Sequence, residues 1–301
     1  MNARRAQGEV IFDKVAILGV GLIGGSIGMA AKRRGAARQV LGIGRTESKL
    51  MRAKILGAID AYSIDMENAA AEADLVVICT PVQLIAPTLQ RMAPSLKPGA
   101  IVTDAGSTKR EVVAACDAVV PAGRFFVGGH PMAGSEQTGV DAARADLFVG
   151  ATWALTPGAK TDLAALSRVT EFAGALGARV EILSPEEHDE AVAVTSHLPH
   201  GIASALMRLA EDSQRRTGKT FALTAGSFRD LTRVADSSPE LWRDICLTNA
   251  DSLCEAITSL ESVLDELKAA LQARDPAAIQ RFFEQSREIR EAYLRISAGP
   301  K

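Results

Sequence analysis

Lys14-Val-Ala-Ile-Leu-Gly19-Val-Gly21-Leu-Ile-Gly24 is the stretch that decides the fold. A short apolar run leads into Gly-x-Gly-x-x-Gly, and a helical pattern follows over about residues 23–34. In that context each glycine has its own task. Gly19 permits a tight turn, Gly21 lets backbone approach a pyrophosphate, and Gly24 allows close packing of helix on strand. The helix start, with Leu22 and Ile23, offers unpaired N–H groups and the positive end of a dipole to phosphate oxygens. The stretch therefore reads as a dinucleotide site in a Rossmann-type fold.

The second strand, residues 40–44, ends about 20 residues after the last motif glycine. An NAD enzyme usually carries an acid there for the ribose hydroxyls. This chain has Gly44-Arg45-Thr46 instead, and Arg45, helped by Thr46 or Ser48, suits a 2′-phosphate. The expected cofactor is NADP or NAD, with NADP favoured. The competing reading of Arg45 is a solvated helix-start residue stacking on adenine.

Strands then alternate with helices. Strands are expected at 74–79, 100–103, 125–127, 151–156 and 179–183, with helices at 82–92, 108–116 and 162–176 among them. That order implies a parallel sheet wound on both faces. Thr80-Pro81 and Asp104 fall at carboxyl ends of strands, which face the ligand crevice, and are assigned to the cofactor. Ser107, between Asp104 and Lys109, reads equally as a ligand contact or a helix cap.

His130 stands in Gly128-Gly129-His130-Pro131-Met132-Ala133-Gly134-Ser135-Glu136. An apolar run ending in glycines reads as a strand opening into a loop, so His130 is expected in a loop where cofactor and substrate meet.

After residue 184 strand signals fade, and helices are expected at 185–196, 199–216, 239–272 and 276–296. The expected organisation is thus α/β: a doubly wound dinucleotide-binding domain over 1–184 and an all-α dimerisation domain over 185–301, giving a homodimer. Two places interrupt the helical period, Ser196-His197-Leu198-Pro199-His200 and Phe228-Arg229-Asp230-Leu231-Thr232-Arg233. No third ligand stands at zinc spacing from His197 and His200, so no metal is expected. Arg233 suits a bidentate clamp on a carboxylate, with an ion pair to Asp230 as the alternative.

A net charge of -2 gives no electrostatic case for nucleic acid or an anionic membrane surface. The apolar run at 15–22 is short and broken by glycines, unlike a signal peptide or a spanning helix. Four scattered cysteines without a C-x-x-C pair suggest reduced thiols in a cytoplasm.

Taken in order, Gly19-x-Gly21-x-x-Gly24, Asp104-x-x-Ser107-x-Lys109, His130-Pro-Met-Ala-Gly-x-Glu136, Ser196-His-Leu-Pro-His200 and Asp230-x-Thr232-Arg233 resemble the prephenate/arogenate dehydrogenases of tyrosine biosynthesis. The likeness runs from about residue 14 to about residue 296. It implies NAD(P)-linked oxidation with loss of CO₂, from prephenate to 4-hydroxyphenylpyruvate or from arogenate to tyrosine. It implies that His130 takes the hydroxyl proton, that Ser107 hydrogen-bonds His130 or the hydroxyl, and that Arg233 holds the ring carboxylate. His200 would lie near the substrate side chain and Glu136 would gate the pocket, with His197 and Trp242 in the same substrate-binding set. The rate is expected to fall as a group of pKa 6–7 protonates. No room is seen for a C-terminal regulatory domain or a fused chorismate mutase, so tyrosine inhibition would act in the active site. Hydroxyacid and 6-phosphogluconate dehydrogenases share the layout, but no lysine base stands beside the His-rich segment; a non-catalytic nucleotide-sensing dimer is the remaining alternative.

Overall fold

The computed structural model describes residues 10–134 and 137–297. An eight-stranded sheet has the order β3-β2-β1-β4-β5-β6-β7-β8. The strands are β1 (Phe12–Leu18), β2 (Ala37–Ile43), β3 (Ala61–Ser63), β4 (Leu75–Ile78), β5 (Ile101–Asp104), β6 (Phe125–Pro131), β7 (Thr152–Thr156) and β8 (Arg179–Ile182). Between them run α1 (Leu22–Arg33), α2 (Glu47–Ile55), α3 (Met66–Ala71), α4 (Ile85–Met92), α5 (Arg110–Val119) and α6 (Leu163–Ala175). The chain winds outward from β1 to β3, then returns to β4 beside β1. That reversal opens a crevice at the carboxyl ends of the strands.

Alternation places the core. Val15 and Ile17 of β1 and Leu75 and Val77 of β4 join one apolar cluster, with Ile27, Phe148, Trp153 and Phe172. Ala16, Leu18, Val76 and Ile78 point the other way and join a second, with Ile85, Leu89 and Phe126. A sheet buried on both faces needs near-continuous apolar runs in its central strands, which Val15–Leu18 of β1 and Leu75–Ile78 of β4 supply.

Two expectations change here. The sheet is not wholly parallel, because β6 pairs antiparallel with β7, His130 standing opposite Ala154. And β6 does not stop at Val127: its first half pairs parallel with β5, and the strand then runs on through both glycines. A Cβ on Gly128 would meet the Thr156 hydroxyl at 2.5 Å, and one on Gly129 the Asp104 carbonyl at 2.8 Å. These glycines admit close neighbours rather than turn the chain. His130 therefore sits on a strand.

Helices follow β8: α7 (Pro185–Val192), α8 (Leu198–Thr217), α9 (Gly226–Thr232), α10 (Pro239–Thr248), α11 (Ala250–Ala273) and α12 (Pro276–Ser297). Ser184 and Glu187 close a capping box on α7. A π-helical turn, Ala193–His197, joins α7 to α8. The single helix expected over 239–272 is two, broken at Asn249, whose buried amide bonds to the Asp189 carbonyl and His197. Compactness divides the chain after Ala250, later than the loss of strand signals at 184. The helices up to α10 belong with the sheet through bonds such as Thr108 to Thr248 and Asp189 to the start of α5. The second unit, from Asp251, is formed by α11 and α12. Among the described residues no helix is long and apolar enough to cross a membrane.

Candidate active site

Two cavities open at the carboxyl ends of the strands. The first, about 510 Å³, is lined by Gly19 and Gly21 after β1, by Gly44, Arg45, Thr46, Ser48, Lys49 and Arg52 around the start of α2, and by Cys79 after β4. Gly19 takes φ +93°, where a side chain would be strained, and its Cβ would strike the Cys79 carbonyl at 2.6 Å. Gly21 is open: a Cβ there would have nothing within 4 Å. No side chain caps α1 and no acid stands in its first turn. The first-turn amides, Leu22 and Ile23 among them, thus keep their positive end for an anion. The Thr80 hydroxyl nearby is buried without a partner. These features fit a dinucleotide phosphate.

The second cavity, about 360 Å³, brings the two halves of the sequence together. Ser107, His130 and Met132 line it from the sheet side; His197, His200, Arg233 and Trp242 line it from the helices. Trp242, on α10, stacks on the His200 ring at 3.8 Å and meets His197 edge-on at 5.9 Å. The described lining residues include no carboxylate, and Arg233 is their one permanent cation. Among the described residues no group of three or more His, Cys, Asp or Glu is placed to hold a metal ion.

Beneath this cavity lies a buried polar frame. Lys109 and Asp104 are both fully buried and form an ion pair. Lys109 Nζ also donates to the Gly129 carbonyl at 2.9 Å. The Asp104 carboxylate accepts from the amides of Gly106 at 2.8 Å and Gly129 at 3.0 Å. Asp104, assigned to the cofactor from its position, spends its oxygens holding the Ser107 loop to β6 and lines neither of these two cavities. Burying two charges costs several kcal/mol each unless both are paired and hydrogen-bonded, as here.

Ser107 does not cap α5 either. That helix begins at Arg110, and its first amides, Lys109 N and Arg110 N, donate to the Asp189 carboxylate at 2.7 and 2.9 Å. The hydrogen bond of the His130 ring likewise goes not to Ser107 but to His188, with Nδ1 and Nε2 2.9 Å apart. His188 Nδ1 lies 2.8 Å from Asp189 Oδ1.

Burial holds the His130 pKa well below the ordinary 6.5, with repulsion from His188, Lys109 and His197 adding to it. His197 falls to about 4, first by burial, with Asp189 opposing and His188 and His200 adding. Burial also lowers His200, helped by Arg233 and opposed by a hydrogen bond with the Val234 backbone. All three imidazoles are neutral near pH 7. The acid limb expected at pKa 6–7 moves lower for that reason.

Residues 27–182 match the family model "Prephenate dehydrogenase, nucleotide-binding domain", and residues 184–285 match "Prephenate dehydrogenase, dimerization domain". The prephenate dehydrogenase of Bacillus subtilis is 36% identical, over 93% of this chain and 76% of its own. The cyclohexadienyl dehydrogenase of Zymomonas mobilis is also 36% identical, over 94% of this chain and 96% of its own. The chain belongs to the prephenate dehydrogenase family. It is an NAD(P)-dependent oxidoreductase of the prephenate and arogenate type. Among solved structures, the prephenate dehydrogenase of Aquifex aeolicus, in complex with hydroxyphenyl propionate and NAD+, superposes with a TM-score of 0.86 at 31% identity, covering 93% of this chain and 98% of that one.

Within this family member, most of the sequence-predicted residues fall at one cavity or the other. Gly19, Gly21, Arg45 and Thr46 line the first cavity, with Thr80 and Pro81 just beyond Cys79; Ser107, His130, His197, His200, Arg233 and Trp242 line the second. Glu136, assigned to gating, lies outside the described residues. Sequence reasoning missed His188 and Asp189. The one available signal was numerical: the chain has four histidines, and His188 is the fourth beside His130, His197 and His200.

Proposed function

We propose that this dehydrogenase oxidises and decarboxylates prephenate to 4-hydroxyphenylpyruvate. The observation that carries the reading is that His130 and Arg233, a hundred residues apart, line one cavity of about 360 Å³ whose described lining holds no acid. That size falls in the range for a small-molecule site, and Arg233 gives the described lining a permanent positive charge that suits an anionic substrate.

Arg233 holds the ring carboxylate, and its planar fork fixes the ring's orientation. Neutral His130 accepts the proton of the ring hydroxyl, which Ser107 orients. A bound nicotinamide dinucleotide would supply the hydride acceptor for the carbon bearing that hydroxyl. As CO₂ leaves, its bonding electron pair flows through the ring to the new carbonyl oxygen. His130 returns the proton there, so one hydride and one CO₂ are lost and no net proton. His200 and Trp242, stacked together, and His197 meet the pyruvyl side chain.

NADP is the proposed preference. Arg45, Lys49 and Arg52 line the first cavity, and the one acid in that lining, Asp141, already pairs with Arg52 at 2.6 Å. Arg45→Ala should lower kcat/KM for NADP+ at least tenfold and leave NAD+ within about twofold. We further propose that residues 185–301 mediate a homodimer. On α11 and α12, Leu264, Leu271, Phe283, Ile289 and Ile296 are exposed, and light scattering should give twice the chain mass. A cytoplasmic location is proposed from the free thiols of Cys79, Cys116, Cys246 and Cys254.

The deciding experiment assays the purified protein with prephenate and arogenate, each with NAD+ and NADP+. Turnover of prephenate at the higher kcat/KM is the expected result. A clear preference for arogenate would reverse the substrate assignment.

A further inference from the structure

We propose that His188 and Asp189 are positioning residues, a relay that fixes which nitrogen of His130 is the base and shares the charge when that base is protonated. The proposal rests on the proton-transfer role of His130 given above.

With His188 taken as neutral, the chain of hydrogen bonds leaves one tautomer at each step. The Asp189 carboxylate accepts from the Lys109 amide at Oδ1 and the Arg110 amide at Oδ2. Both are N-terminal amides of α5, each given to one carboxylate oxygen. A carboxylate only accepts. His188 Nδ1, 2.8 Å from Asp189 Oδ1, therefore carries its proton. Neutral His188 then has a bare Nε2. That nitrogen lies 2.9 Å from His130 Nδ1, so His130 Nδ1 carries the proton and His130 Nε2 is bare. The bare nitrogen is the one not tied to His188, and it is left to the cavity that His130 lines.

Packing supports a dedicated arrangement. His188 is 1% exposed and Asp189 fully buried, and Asn249 ties the Asp189 carbonyl to His197 on the far side. The start of α5 accounts for the Asp189 carboxylate, whereas His188 spends its two ring nitrogens on Asp189 and His130. During the reaction the hydroxyl proton goes to His130 Nε2. The His130 Nδ1 proton can then shift to His188 Nε2, placing the positive charge beside Asp189. Both protons retrace their paths when the product oxygen is re-protonated.

The test uses full-length protein labelled with ¹⁵N-histidine. At neutral pH, histidine ring correlations should show His130 protonated on Nδ1 and bare on Nε2. His188→Phe keeps a ring but removes the acceptor; kcat should fall about 10²-fold, with KM and dinucleotide Kd within about threefold. His188→Gln supplies a carbonyl oxygen to His130 Nδ1–H and should recover at least tenfold of that loss, which a purely structural role would not predict. Wild-type His130 protonated on Nε2 overturns the relay. So does a folded His188→Phe within threefold of wild-type kcat, or a His188→Gln as poor as His188→Phe with its tautomer unchanged. Should His188→Phe not fold, the wild-type tautomer and His188→Gln decide. A wild-type protein that oxidises neither prephenate nor arogenate overturns the substrate assignment instead, and the tautomer alone then judges the relay.

Discussion

Gly129→Ala tests whether the histidine is held by strand packing. The added methyl would lie 2.8 Å from the Asp104 carbonyl oxygen, 2.9 Å from the Thr103 hydroxyl and 3.3 Å from Trp153 Nε1. Ordinary contact begins near 3.4 Å, so β6 must move from β5 by about 0.6 Å. It cannot move alone. Gly129 N is bonded to Asp104, Gly129 O to Lys109, and the next residue is His130, bonded to His188. Overpacking of this kind costs about 1–3 kcal/mol, and a misplacement approaching 1 Å can cost up to about 10²-fold in rate. Gly129→Ala should therefore lose about 10- to 100-fold in kcat at saturating prephenate and dinucleotide, and melt several degrees lower. Gly174→Ala is the control. It lies in α6 with nothing within 4 Å of its added methyl, and should gain about 0.5–1 kcal/mol at unchanged kcat. If Gly129→Ala kept kcat within twofold and its melting temperature, the packing argument would be refuted.

Other predictions follow from the same geometry. An ordinary histidine base of pKa 6.5 would keep only about a tenth of its neutral form at pH 5.5; since burial lowers His130, kcat/KM should keep most of its value there, and a tenfold loss with one apparent pKa near 6.5 would contradict that environment. Stability has the matching sign: the unfolded chain binds protons to His197 below pH 6.5 while the folded chain does not until about pH 4, so folding free energy should drop by about 3 kcal/mol across that window, checked by urea unfolding at pH 7 and pH 4. Arg233→Ala should raise KM for prephenate at least tenfold with kcat changed less, and the reverse split would remove the carboxylate clamp. Lys109→Met fills much of the same volume but strands the Asp104 charge, so it should cost about 3–5 kcal/mol; a loss below 1 kcal/mol in denaturant unfolding would show the pair is not needed.

The glycine motif, the apolar strands and the loss of strand pattern after residue 184 were legible because each is a local property: backbone freedom, period and turn chemistry are written within ten or so neighbours. Arg45 is legible in the same way, standing where the chain order alone puts the end of the second strand. Pairing of remote segments is not local. Gly128-Gly129 reads as punctuation, yet serves as strand, because what presses on it is Thr156 and Asp104 from other strands. Asp104 reads as a ligand from its position and proves to be frame, because its partner Lys109 folds back beneath it.

What the sequence alone determined was a dinucleotide crevice and a set of residues able to do the chemistry. Only tertiary structure decided that His130 lies on a strand, that Arg233 shares its cavity, and that His188 and Asp189 stand behind it. The physical reason is that a tautomer or a lowered pKa depends on what burial and distant partners place within about 3 Å of an imidazole, and no spacing along the chain records those distances.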